Sequence, residues 1–195
     1  MIKNNKVIFL KISFIENYPN NTKRKILKKL AKKVLNTELR KIGQDYSDII
    51  IDKNGKKKLR NLSYHFSIAY SGNALVIALS DSNIGIDIEQ NRYINIDNLK
   101  FFFNDKIIDN IDKSVNPIYE LLKYWVVAES FGKYEGSGIL ELRNKNFINP
   151  DVITKEGLNI YLNKEVIFRI LEIENFIISV CSKDIQSFQI YSTAI

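Results

Sequence analysis

The apolar residues of this chain fall into many short runs with the two-residue period of a strand, interrupted by two long stretches with the period of a helix. That order argues an α+β fold. The first helical stretch puts Leu27, Leu30, Ala31, Val34 and Leu35 on one face. Lys25, Lys28, Lys29, Lys32 and Lys33 lie on the other, and Asn20-Asn21-Thr22 offers an N-cap. The second stretch, residues 118–134, carries Leu121, Leu122, Trp125, Val126 and Phe131 at helical spacing, and a further helix is expected around 96–103. Strands are expected at 7–14, 48–51, 66–70, 74–80 and 84–89, then at 146–148, 158–162, 166–171, 176–181 and 188–191. Asp52-Lys53-Asn54-Gly55 and Ser71-Gly72-Asn73 mark tight turns between strands. The pattern divides near residues 81–84 into two α+β halves, 1–83 and 84–195, each a helix with a small, mostly antiparallel sheet.

Composition narrows the chemistry. At 195 residues and 45% hydrophobic content the chain has enough apolar material for a real core. Its 29 Lys and Arg against 22 Asp and Glu leave a charge of +7, which favours an anionic partner. Nucleic acid is not the expected one, because the 10 Tyr and 11 Phe sit in apolar, strand-like runs that core packing explains. One cysteine, Cys181, excludes an internal disulfide, and with one histidine, His65, it cannot make a zinc site. Lys11 interrupts the apolar run that begins at Val7 and no small-residue cleavage site follows, so this segment reads as a strand rather than a signal peptide. No stretch approaches the roughly 18–20 apolar residues of a membrane span. A reducing cytosol is the expected setting, with no membrane partner.

The remaining chemistry is carried by carboxylates. In Gly85-Ile86-Asp87-Ile88-Glu89 the acids stand at i and i+2, so both leave one face of a strand while Ile86 and Ile88 pack the other. That suits two ligands of one hard cation, although alternating acid and isoleucine also describes any half-exposed strand. Glu129 and Lys133 stand one helical turn apart, which alone describes an ordinary surface pair worth ~0.3–0.5 kcal/mol. No nucleophile with a matching base is recognisable, and no Gly-rich phosphate loop appears. Three carboxylates with a lysine fit magnesium, which takes one or a few carboxylates together with substrate phosphates.

Four segments then carry a resemblance. They are Phe66-Ser-Ile-Ala-Tyr-Ser-Gly72, Ile84-Gly-Ile-Asp-Ile-Glu89, Trp125-Val-Val-Ala-Glu-Ser-Phe-Gly-Lys133 and Glu135-Gly-Ser-Gly-Ile-Leu140. In order and spacing they resemble the motifs of the surfactin-synthetase-type phosphopantetheinyl transferases. The resemblance implies a pseudo-dimer of two α+β halves with coenzyme A in the cleft between them, acting as a monomer with magnesium on an acidic acyl or peptidyl carrier protein. It implies Asp87, Glu89 and Glu129 as metal carboxylates, Lys133 on the phosphates, and Glu129 as the base for the carrier's serine. Tyr70, Ser71 and Gly72 would border the nucleotide, Lys56 would lie beside the adenine, and Arg24 near the ribose 3′-phosphate. A coenzyme A- or carrier-binding homologue with little transferase activity is the alternative reading.

Three positions depart from the family pattern. Tyr70 stands where the family has a histidine; it donates a hydrogen bond but carries no positive charge. Ala128 replaces a lysine before the motif glutamate, and Ile107 replaces an acid. If those last two pair with each other in relatives, their joint loss leaves no lone buried charge.

Overall fold

The computed structural model describes residues 5–61, 63–138, 160–162, 166–183 and 188–194. Strand β1 (Asn5–Lys11) buries Val7 and Phe9 on one face and Ile8 and Leu10 on the other, because it has core on both sides. It stops at Lys11, short of the expected residue 14, because Asn73 ends it. The Ile12 amide donates to the Asn73 carbonyl at 2.9 Å, and the Asn73 side chain donates to the Ile12 carbonyl at 3.2 Å. A 3-10 turn, Ser13–Ile15, follows. Helix α1 (Asn20–Arg40) buries Leu27, Ala31, Leu35 and Leu39 and leaves its lysine face exposed. The expected side-chain cap does not form: Asn20 is already helical, and Pro19, which has no side-chain acceptor, takes the N-cap position.

A small hairpin of β2 (Ile49–Ile51) and β3 (Lys57–Leu59) comes next. The lysine-rich β3 has no apolar alternation of its own and exists through pairing with β2. Strands β4 (His65–Ser71) and β5 (Ala74–Ser80) reverse over Gly72-Asn73, where Gly72 has φ +55°. Strand β6 (Ile84–Gln90) follows. The single helix expected at 96–103 is instead a short α2 (Asp97–Lys100) followed by an unanticipated α3 (Asp105–Asp112). Asn104 caps α3 by accepting the Ile107 amide at 3.0 Å. Helix α4 (Pro117–Glu135) closes on Gly136 in the left-handed region at φ +79°. Strands β7 (Ile160–Leu162), β8 (Val166–Ile173), β9 (Phe176–Ser182) and β10 (Phe188–Ala194) complete the fold. The strand expected at 146–148 lies outside the described residues.

The architecture is α+β. One sheet has the order β10-β1-β5-β4 and the other β6-β9-β8-β7. Among the described residues all pairings are antiparallel except β1 with β10, so the last described strand returns to the sheet that holds the first. The layers run helix, sheet, sheet, helix. Leu27, Ala31 and Leu35 of α1 pack on Ile8, Leu75 and Ile77. The opposite faces of those strands, through Val7, Phe9, Val76 and Ala78, meet Ile84, Ile86, Ile88, Ile178 and Val180 of the second sheet. Beyond it Leu121, Tyr124 and Val127 of α4 join Ile111 of α3 over Phe168 and Cys181. Ile107 and Ala128 lie in that same apolar cluster, which holds no lone charge at either position.

Candidate active site

Two close approaches build the site. The first is a seam between edge strands β4 and β6. Small residues at alternate positions of β4, Ser67, Ala69 and Ser71, face β6 and let it come near. Sheet pairing with β9 leaves β6 amides open along this edge. The Ser67 hydroxyl accepts the Ile86 amide at 3.1 Å, and the Ser71 hydroxyl accepts the Gln90 amide at 2.9 Å. The Ser71 hydroxyl also donates to Glu89 Oε2 at 2.9 Å, which fixes that carboxylate at the seam.

The second approach brings β6 against α4. An added Cβ on Gly85 would sit 2.6 Å from the Tyr134 amide nitrogen and closer still to the Ser130 carbonyl oxygen, so only glycine fits there. Ser130, fully buried, donates to the Val127 carbonyl at 2.9 Å and bonds the Ser179 hydroxyl of β9 at 2.9 Å. With helix and sheet held this close, Asp87 and Glu89 face α4 while Ile86 and Ile88 face the core between the sheets.

Lys133 does not settle on Glu129, the partner that helical spacing offers. It reaches across to Asp87 and donates to Oδ1 at 2.6 Å. Asp87 is 6% exposed, and its other oxygen, Oδ2, is buried with no hydrogen-bond partner. Burial pushes the Asp87 carboxyl above its usual range against the pull of Lys133. Burial first, and then the Asp87 charge, push Glu89 up to about 7 and raise Glu129; Lys133 opposes both shifts, and at Glu89 Ser71 and Arg92 do so as well. The three carboxylates and Lys133 therefore form one electrostatic group. Among the described residues, however, no three acidic, histidine or cysteine side chains stand close enough together to hold a metal ion as they are placed. Cys181 is no nucleophile: it is buried, and that burial holds its thiol well above the ordinary value.

Two cavities flank this group, and Tyr70 lines both. One, of about 340 Å³, is bordered by Gly55, Lys56, Phe66, Tyr70, Gly132 and Lys133. The other, of about 530 Å³, is bordered by Lys23, Arg24, Tyr70, Gly72, Gln90 and Arg92, with Ser71 on its wall. Arg24 and Lys56, both expected on the nucleotide, thus line different cavities that share Tyr70. The Lys56 ammonium is already engaged: it donates to the Tyr134 carbonyl at 2.6 Å and to Asn83 Oδ1 at 2.9 Å, and so caps the end of α4. Its stem, against Gly136, is what it offers to the cavity. Burial brings its pKa down to about 8.

The family model of the 4′-phosphopantetheinyl transferase superfamily matches residues 83–181, which is half of the chain. The chain belongs to that superfamily. Asp87, Glu89, Glu129 and Lys133 all fall inside the matched span, whereas Arg24, Lys56 and Tyr70 to Gly72 precede it. The chain is similar to the 4′-phosphopantetheinyl transferase Sfp of Bacillus subtilis, 35% identical over 80 residues, covering 38% of this chain and 34% of that protein. It is also similar to the 4′-phosphopantetheinyl transferase psf-1 of Bacillus pumilus, 32% identical over 92 residues, covering 44% and 38% of the two chains. The match thus spans little more than a third of the length of these curated relatives. No helix among the described residues is long and apolar enough to cross a membrane.

Several contributors were not anticipated from sequence: Ser67 and Gly85, which set the two approaches, and Asn83 and Arg92. Ser67 and Ser71 did carry a signal, since polar side chains alternating with apolar ones on a strand imply a polar neighbour when both faces are covered.

Proposed function

We infer that the protein transfers the 4′-phosphopantetheine group of coenzyme A to a serine of an acyl or peptidyl carrier protein and releases 3′,5′-ADP. The observation that carries this reading is the buried group around Asp87, in which one carboxylate oxygen is held by Lys133 and the other has no partner, inside the span that matches the superfamily. An orphaned, nearly inaccessible carboxylate oxygen is costly unless a cation joins it. The unpartnered oxygen suits a divalent cation, and Asp87, Glu89 and Glu129 are the residues that would hold it, although as placed they do not converge on one point. Magnesium, when bound, would neutralise charge on the pyrophosphate as the leaving group departs.

The chain's own residues do the rest. Lys133, on the wall of the smaller cavity, is the cation within reach of the diphosphate, and contacting it means exchanging Asp87 for a phosphate oxygen. Glu129 is half-buried, and its raised pKa makes it a stronger base than a free glutamate; it takes the serine proton as the serine oxygen bonds to the β-phosphorus and the bond to 3′,5′-ADP breaks. Tyr70, Ser71 and Gly72 border the nucleotide. Lys56 lies beside the base through its stem. The net charge of +7 favours capture of acidic carriers. We read the layout as a pseudo-dimer with halves 1–83 and 84–195, in which β10 of the second half completes the first sheet, and the protein as a monomer in the cytosol; a long helix on the outer face of each sheet supports the pseudo-dimer.

A second reading, coenzyme A or carrier binding with little transfer, is favoured by the lack of three converging ligands among the described residues. Incubation with magnesium, coenzyme A and a panel of apo-carriers, followed by weighing the carriers, separates the two. Transfer shows as a phosphopantetheine mass gain that Glu129→Gln abolishes with the fold intact. Coenzyme A binding without mass gain on any carrier supports the second reading, and full activity of Glu129→Gln removes that residue from the chemistry.

A further inference from the structure

Lys133 stands in the last turn of α4, which ends at Glu135. The final carbonyls of a helix have no donor within it, and such turns are the first to open. The chain beyond the helix sends back two amides, those of Gly136 and Gly138, but both go to the Gly132 carbonyl. The Tyr134 carbonyl is held by other parts of the molecule. Asn83 donates to it at 2.8 Å and Lys56 at 2.6 Å, and the Lys56 ammonium also donates to the Asn83 side-chain oxygen at 2.9 Å, so the three groups close a triangle.

Two corners of the triangle have anchors of their own. Lys56 ends the turn between β2 and β3, where its amide donates to Asp52 Oδ1 at 2.9 Å and its carbonyl accepts the Asp52 amide at 3.0 Å. Asn83 precedes β6, and its main-chain carbonyl accepts the hydroxyl of Ser182, fully buried on β9, at 2.8 Å. The triangle thus ties the β2–β3 hairpin and the start of β6 to the turn that bears Lys133. A side-chain amide suits the central corner because it accepts through one atom and donates through the other, whereas a carboxylate only accepts.

On the functional reading above, we propose that Asn83 is a positioning residue for the transfer, acting through Tyr134 to hold the final turn of α4 and so to keep Lys133 aimed. At rest the contact from Lys133 to Asp87 also steadies that turn. Lys133 gives up that contact when it engages the diphosphate, and the grip on Tyr134 is what then holds the end of the helix. Order in this turn therefore matters most in the state that reacts.

The test uses Asn83→Asp, which keeps the shape and the acceptor for Lys56 but replaces the donor to Tyr134 with an oxygen that faces its carbonyl. The denaturation midpoint should stay near the parent's, while kcat for carrier modification should fall roughly 10- to 100-fold, the scale of an ångström's misplacement, with little change in KM for coenzyme A. In a Lys133→Met protein the same substitution should lower the residual rate little further, because the group being positioned is gone. Hydrogen exchange gives a readout independent of turnover: the amides of residues 133–136 should exchange about 10-fold faster in Asn83→Asp than in the parent. Parental kcat in Asn83→Asp, an equal fractional loss with and without Lys133, or unchanged exchange at 133–136 overturns the assignment while the functional reading stands. A parent protein that modifies no carrier overturns both.

Discussion

Gly85→Ala tests whether the approach of β6 to α4 is what assembles the site. The new methyl would stand 2.6 Å from the Tyr134 amide nitrogen and nearer to the Ser130 carbonyl oxygen, both main-chain atoms of a buried helix. No side chain can swing aside to absorb it, so strand and helix have to part by roughly an ångström to restore ordinary contact. Overpacking of that kind costs about 1–3 kcal/mol, and two backbone contacts place this case at the upper end. Against it stands the ~0.4–1 kcal/mol that alanine contributes by restricting the unfolded chain. The net expectation is a loss of about 2 kcal/mol, or roughly a 1 M lower urea midpoint at a slope near 2 kcal/mol/M. The same displacement acts on the 2.6 Å contact from Lys133 to Asp87 and on the 2.9 Å contact from Ser130 to Ser179. Turnover in the folded variant should therefore fall by about 100-fold. For stability alone, Gly72→Ala is the comparison: its methyl would meet the flexible Gln90 side chain, and its cost comes from φ +55°, about 1–2 kcal/mol. A Gly85→Ala protein with parental stability and turnover would refute the account of the site.

Ser130→Ala should cost about 1–2 kcal/mol in denaturant unfolding, because it leaves the buried Ser179 hydroxyl without its partner, and Ser179→Ala should cost less, because Ser130 keeps its bond to the Val127 carbonyl. The double variant should cost about 1 kcal/mol less than the two added, and strict additivity would mean that the hydroxyls do not interact. For Lys56, the folded-state pKa of about 8 lies below the unfolded 10.5, so between those values the unfolded chain binds more protons and stability rises with pH. Relative to Lys56→Met, the parent should gain on the order of 1 kcal/mol from about pH 7 to about pH 10, once the partial exposure of the side chain is allowed for. Parallel profiles for the two proteins would show that the ammonium is not buried at the end of α4.

What was legible in the sequence is what obeys a local period. The isoleucines at 84, 86 and 88 face the core, and the acids at 87 and 89 the other way, because a strand alternates whatever it packs against. The helix that carries Glu129 and Lys133 showed the same legibility. Helix α3 had a readable signal, Asn104 as a cap followed by Ile107 and Ile111 one turn apart, but the apolar run at Phe101 to Phe103 drew the boundary too early. Strand β3 and the return of β10 to β1 had no local signal, since both exist only through pairing with a distant or weakly patterned partner. The contact from Lys133 to Asp87 had no local signal either. Helical spacing offered Glu129, but only the depth of the β6 approach shows that Asp87 is nearer and more deeply buried, where a cation stabilises most.

The seam between β4 and β6 explains why the site lies where it does. Two sheets packed face to face have no reason to expose acids between them, and the strand that bears Asp87 and Glu89 is an edge strand of its sheet. Pairing that edge in a regular ladder with β4 would satisfy the β6 amides through carbonyls, which accept but cannot donate. Serine hydroxyls take the β6 amides instead, through Ser67 at Ile86 and Ser71 at Gln90. A hydroxyl, unlike a carbonyl, accepts and donates at once. Ser71 uses both capacities, accepting from the backbone and donating to Glu89, so the group that closes the edge also aims a carboxylate. Ser71→Ala would remove both contacts together and free Glu89 to move, whereas Ser67→Ala would remove only a backbone contact. Transfer activity should fall much further for the first than for the second, at similar losses of stability. Equal effects on transfer would mean that Ser71 closes the edge and nothing more.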